Sequence, residues 1–182
     1  MTPTRQRALD AAISLLATGG LRALTHVRVD ERAELPKGST SNYFRTSAAL
    51  IAGVADWIVE RELPMVSVAF SPRSPAELVD SMCTALEMTT RDNRELTTAR
   101  LVLFMEASHN AVLREALSRG RAAIEAAVVP SLAAMGARDP QASAETIAAC
   151  FEGLILHRIA RNAYTDPQPI FETVVAGALP TG

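Results

Sequence analysis

Along most of this chain apolar residues return every three or four positions, and the breaks in that rhythm fall at glycine and proline. From Thr4 to Thr18 the residues Leu9, Ala12, Ile13, Leu16 and Ala17 share a face until Gly19-Gly20 stops the pattern, which predicts a first helix. Thr25 offers a cap to a second, of about two turns, in which Val29 and Ala33 lie together before the Leu35-Pro36 break. Pro36 fits the start of a third, where its missing N–H costs nothing, and that helix is the polar run "KGSTSNY". Thr46 then caps a longer helix with a wide stripe of Leu50, Ile51, Val54, Ala55, Ile58 and Val59, expected to end at Pro64. After a Ser- and Pro-rich linker at 70–75, helices are expected at 75–92, 95–108, 110–136 with Pro130 kinking or breaking it, 141–162 and 168–179. No strand-like alternation of useful length occurs, so the expected fold is all-α.

Composition supports this. The 182 residues are 48% hydrophobic but only 4% aromatic, so the core must be aliphatic and rich in alanine, as suits closely packed helices. The formal net charge of −2 conceals an asymmetry: residues 1–50 hold seven basic and four acidic side chains, 7 − 4 = +3, which leaves −5 for the remainder. A basic head on an acidic body favours a polyanion at one end, although a solvated face reads the same way. Cys83 and Cys150 stand far apart in apolar patterns and are expected to be buried free thiols. The absence of a leader and of an apolar run approaching about 18 residues predicts a cytoplasmic protein with no membrane span. His26, His109 and His157 are scattered, no nucleophile elbow, zinc-helix or phosphate-loop motif occurs, and "KGST" lacks the Gly-Lys-Ser/Thr order a phosphate loop needs. No catalytic residue, metal site or cofactor is therefore expected.

The small polar residues need another explanation. Ser, Thr and Asn favour caps and turns over helix interiors, so a run of them suggests a helix kept for what its surface touches. Two short helices joined by a tight turn have the spacing of a helix-turn-helix, whose second helix enters the DNA major groove, where hydroxyls can donate or accept. Lys37, the only lysine, stands at the start of that helix, where a phosphate would meet a point charge and the helix dipole together.

The stretch "LTHVRVDERAELPKGSTSNYFRTSAAL", with "RALDAAISLLATGGLRAL" before it, resembles the N-terminal domain of the tetracycline-repressor (TetR) family of bacterial transcriptional regulators. The likeness is close over residues 4–60, and the remainder agrees in length, helix content and order. It implies a helix-turn-helix domain at 1–46, a connecting helix at 47–64 and a ligand-binding and dimerisation domain at 65–182. It further implies that Tyr43 reaches a DNA phosphate while Phe44 packs the head. Lys37 and Thr25 become backbone contacts, and Gly38 belongs to the same motif. Ser39, Thr40 and Ser41 become candidates for base edges, with Arg28 and Asn42 beside them. Three positions depart from the family pattern: Glu34 where the turn usually has Gly, Asp30 where helix two usually has a small residue, and Ser47 where Lys is common.

In the body the resemblance implies a small-molecule pocket and a homodimer interface. Met82, Leu86, Leu101, Phe104, Met105 and His109 are the pocket candidates, flexible Met side chains suiting an adaptable cavity. Phe151, Leu154, Ile155, Ile159, Phe171, Val174 and Val175 are the interface candidates, the other reading being that they form the monomer's core. The implied function is an effector-released repressor that binds a palindromic double-stranded operator as a dimer. The alternative is a helical ligand-binding dimer whose sequence-specific DNA binding is weak or lost.

Overall fold

The computed structural model describes residues 2–69 and 72–179, with only the helical backbone for 64–69. Helix α1 (Pro3–Gly19) opens on Thr2, whose hydroxyl accepts the Arg5 amide at 3.4 Å, and closes on Gly20 at φ 66°. A single 3-10 turn, Leu21–Ala23, leads to α2 (His26–Arg32) and α3 (Ser39–Tyr43). There follow α4 (Ser47–Ala69), α5 (Pro75–Glu87), a π-helical turn (Met88–Asp92), α6 (Arg94–Glu106), α7 (Ala111–Ala134), α8 (Pro140–Ala160) and α9 (Gln168–Ala178). Among the described residues there is no strand, and the fold is all-α as its periodicity predicts.

The helix boundaries depart from expectation mainly at prolines. Pro36 precedes α3 by a turn instead of starting it. The α4 backbone passes through Pro64 to Ala69, and α7 carries Pro130 without a break. A proline inside a helix removes one ladder bond and clashes with one carbonyl, and in both helices the proline falls within the last two turns, after a long uninterrupted stretch that holds the helix together. The helix expected at 75–92 gives way after Glu87, where the Thr90 hydroxyl donates to the Leu86 carbonyl at 2.6 Å and the Asn93 amide to that of Met88 at 2.9 Å.

The chain forms two compact units that do not follow its linear order. The first comprises Met1–Arg61 and Glu95–Arg119. Its core is the apolar stripe of α1 with Val29, Phe44, Leu50, Val54 and Ile58, joined by Leu96, Ala99 and Leu103 of α6 and Leu113 and Ala116 of α7. Each fully buried Leu or Ile contributes about 2 kcal/mol by leaving water. Asp10 ties α1 to α4, its carboxylate accepting from Trp57 Nε1 at 2.9 Å and Arg61 Nη1 at 3.2 Å. The second unit comprises Glu62–Arg94 and Gly120–Gly182, with α5 packed on α8 and α9 through Leu78, Met82, Leu86, Ile155, Phe171 and Val175.

Candidate nucleic-acid interface and the helices of the body

The geometry of the head begins with a buried carboxylate. Asp30 is 4% exposed, and its side chain accepts the Gly38 amide at 2.7 Å, the Thr40 amide at 2.8 Å and the Thr40 hydroxyl at 2.5 Å. Those amides are unsatisfied donors at the start of α3, so Asp30 on α2 caps α3 across the turn and fixes the angle between the two helices. The position that departs from the family pattern is thus an internal lock. Its signal in the sequence is slight, because an acid eight to ten residues ahead of the amides it caps is not a local motif.

The lock changes two expectations. Thr40 is fully buried with its hydroxyl committed to Asp30, so it is not free to meet a base edge. The first amides of α3 already serve a protein carboxylate, so exposed Lys37 presents its charge without a helix terminus to share the anion.

The turn itself is strained and clamped. Glu34 has φ 51°, a left-handed conformation that favours glycine, and closes α2 with paired bonds from its own amide to the Glu31 carbonyl and from the Leu35 amide to that of Asp30. Arg7 reaches across from α1 and donates to the carbonyls of Ala33 at 2.5 Å and Glu34 at 3.3 Å. At the other end of α3 the Phe44 carbonyl meets His26 Nε2 at 2.6 Å, and its buried ring fills the space beside Gly53, where an added Cβ would fall 2.3 Å from it.

On this frame Thr25, Arg28, Ser41, Asn42 and Tyr43 are exposed, and Gly38 and Ser39 half-buried. Thr25 caps α2 through the Arg28 amide at 3.3 Å, while the Ser39 hydroxyl donates to the Pro36 carbonyl at 2.6 Å. Tyr43 is 40% exposed, and its hydroxyl accepts from the exposed Thr2 hydroxyl at 3.2 Å. Sequence reasoning passed over two exposed neighbours, Val27 and Arg45.

The body residues are placed differently from expectation. Met82 and Leu86 are buried in the second unit, whereas Leu101, Phe104, Met105 and His109 belong to the first. Of these Phe104, Met105 and His109 face solvent, and Leu103 turns inward instead. Among the interface candidates Leu154, Ile155, Phe171 and Val175 are buried within the single chain, with Phe151 stacked on Phe171 at 6.0 Å. They are core first, because α5, α8 and α9 pack on one another within the chain. Phe151, Ile159 and Val174 remain half-buried, and the outward stripe of α8 is Ala149, Gly153, Leu156 and Ala160, which inward periodicity alone does not reveal.

Cys83 and Cys150 are half-buried free thiols instead of fully buried ones, and burial pushes the pKa of both upward. Among the described residues no group of three or more His, Cys, Asp or Glu could hold a metal, and no helix is long and apolar enough to cross a membrane.

Residues 73–181 match the model of the tetracyclin repressor-like C-terminal domain. No curated protein sequence matches the chain. Among solved structures it is similar to a transcriptional regulator from Rhodococcus sp. Rha1, with TM-score 0.85, 19% identity and coverage of 97% of this chain and 96% of that one. It is similar to a TetR-family member, SCO1917, from Streptomyces coelicolor A3, with TM-score 0.75, 23% identity and coverage of 99% and 100%. It is also similar to the multidrug binding protein EbrR complexed with ethidium, with TM-score 0.77, 22% identity and coverage of 97% and 98%.

Proposed function

Because the chain belongs to the tetracycline-repressor-like family of transcriptional regulators, we propose that it is a repressor that binds a palindromic DNA operator as a homodimer and is released by a small-molecule effector. The observation that carries the reading is the Asp30 lock, which holds α3 with Ser41, Asn42 and Tyr43 outward and Lys37 and Arg28 beside them. A helix fixed in this way meets the groove without losing orientational entropy on binding, and its flanking cations reach phosphates. Ser39, Ser41 and Asn42 are the base-edge candidates that remain once Thr40 is withdrawn, the Ser39 hydroxyl as an acceptor because it donates to Pro36. Lys37, Tyr43, Thr25 and Arg28 set the register on the backbone.

Pairing through the outward stripe of α8 would place two such heads on one duplex, and small residues at Ala149, Gly153 and Ala160 allow close approach. The effector would bind in the body and favour a spacing of the heads that fits the operator poorly, and a small-molecule ligand agrees with the similarity to EbrR, which is complexed with ethidium. This cycle is non-enzymatic and needs no catalytic group.

The experiment is a selection of the purified protein against random duplex DNA at near-physiological salt, followed by sequencing of the retained pool. The expected result is an enriched palindrome with half-sites about one helical turn apart. A folded dimer that enriches nothing would replace this reading with the second one, a ligand-binding dimer without an operator. The exposed Glu34 carboxylate on the turn is the feature that favours that second reading.

A further inference from the structure

Where α8 meets the π-helical turn, the second unit holds an arginine with more donors than partners. Arg158 is 3% exposed, and its Nη1 donates to Glu87 Oε1 at 2.6 Å and to the buried Thr90 hydroxyl at 3.1 Å. Its Nε is buried with no hydrogen-bond partner among the described residues. Buried polar groups are nearly always satisfied, and a guanidinium offers its donors as planar pairs that match two carboxylate oxygens. The Nε edge of this fork is left over.

The surroundings supply a reason. Glu87, with a side chain 44% exposed, also binds Arg91 Nε at 2.7 Å through its second oxygen, so one solvent-facing carboxylate serves two guanidiniums. Tyr164 lies against both, its ring centroid 5.5 Å from Arg158 and 5.6 Å from Arg91, and its hydroxyl accepts from Arg94 Nη1 at 3.1 Å. The backbone at Glu87 widens into the π-helical turn, a feature that recurs at functional sites. Opposing charge is near: after burial, the carboxylates of Asp166, Asp80 and Glu172 raise the pKa of Cys83, one turn back along α5, and Arg158 lowers it.

We propose that this corner is an anion site, resting on the reading of the body as the effector domain, and that its ligand is a small organic monocarboxylate. The carboxylate takes the Nε edge of Arg158, the edge that Glu87 and Thr90 leave free by holding Nη1, and the rest of the molecule lies against Tyr164. Glu87, which stays bound to the same guanidinium, disfavours a dianion such as phosphate. Because Arg158, Glu87 and Thr90 join α8 to the end of α5, a second carboxylate on the same guanidinium alters how those two helices are tied.

The test is isothermal titration of the full chain with benzoate, octanoate, benzamide and inorganic phosphate at constant ionic strength. Saturable binding of at least one of the two acids is expected, with none for benzamide and weaker or no binding for phosphate. Arg158→Lys keeps the charge but loses the fork and should weaken the acid at least about tenfold, whereas Glu87→Gln removes the neighbouring negative charge from the same guanidinium and should tighten it about tenfold. Should Arg158→Lys fail to fold, Glu87→Gln still decides, since a purely structural salt bridge predicts no gain in affinity.

Failure of both acids to bind, equal binding of benzamide, or unchanged or weaker binding in Glu87→Gln would overturn the proposal. Preference for phosphate would overturn the assignment to a monocarboxylate. Repeating the titration with operator DNA present separates the two readings. An acid that binds at Arg158 without loosening DNA leaves the anion site standing and removes its effector role, while a neutral compound that releases DNA when neither acid binds does the reverse.

Discussion

Two buried charged side chains, Asp30 in the head and Arg158 in the body, are equally hidden from water and oppositely provided for. Asp30 receives three donors from one short segment, and nothing further is asked of it. Arg158 shares a single half-exposed carboxylate with Arg91 and keeps an Nε with no partner among the described residues. A buried polar group whose bonds are complete rigidifies what it touches, whereas one whose bonds are incomplete is costly unless something else completes them. In the head, saturation fixes α3 against α2. In the body, the deficit is one that the proposed carboxylate would make up.

The sharpest way to break this contrast is Asp30→Ala, which strands two amides at the start of α3. It should destabilise the protein by about 3 kcal/mol in urea unfolding and abolish selection of a preferred DNA site. A variant that binds the selected site normally would show that α3 needs no lock. Glu34→Gly probes the strained turn beside the lock. Relief of the left-handed φ, less the entropy glycine adds to the unfolded chain, should stabilise the head by about 1 kcal/mol in the same measurement.

Tyr43→Phe asks whether the outward face of the locked helix works as assigned. In band-shift titrations it should weaken binding to every DNA sequence by about 1 kcal/mol while leaving stability alone, since the hydroxyl's internal partner is an exposed threonine. Loss of preference for one base with no general weakening would move Tyr43 from the phosphate to a base edge. The smallest effect is expected at Arg158. Replacing it with methionine removes the orphaned donor together with the charge, so the stability change should stay within about 1 kcal/mol. A loss as large as that of Asp30→Ala would mean that the arginine is as fully integrated as the aspartate, and the contrast between the two would collapse.

Much of the architecture is legible in the order of residues. The period of Leu9, Ala12, Ile13 and Leu16 predicts α1, Thr25 and Thr46 cap where their position in the pattern says they should, and Gly19-Gly20 ends a helix for the expected reason. These are local effects, decided within a turn or two of chain. Prolines misled for the opposite reason, because Pro64 and Pro130 carry an intrinsic cost that long helices outlast.

The finer assignments fail where a residue's fate depends on a partner far away in sequence. Thr40 and Ser41 are neighbours of the same chemistry, yet one is sealed beneath α3 and the other faces water, a distinction made by Asp30 ten residues upstream. Phe171 and Val175 have the pattern of an interface, but a face that periodicity marks as apolar is spoken for once α5 lies on it, and only packing reveals that. By itself, then, the sequence determined the helices, the caps, the charged head and the helix-turn-helix frame, since each follows from backbone preferences and periodicity over short spans. The tertiary structure alone decided which hydroxyls remain free, which apolar faces stay open, and that Arg158 is buried beside Glu87, 71 residues away, with a donor to spare, because burial and partnership belong to pairs of segments that the chain brings together only on folding.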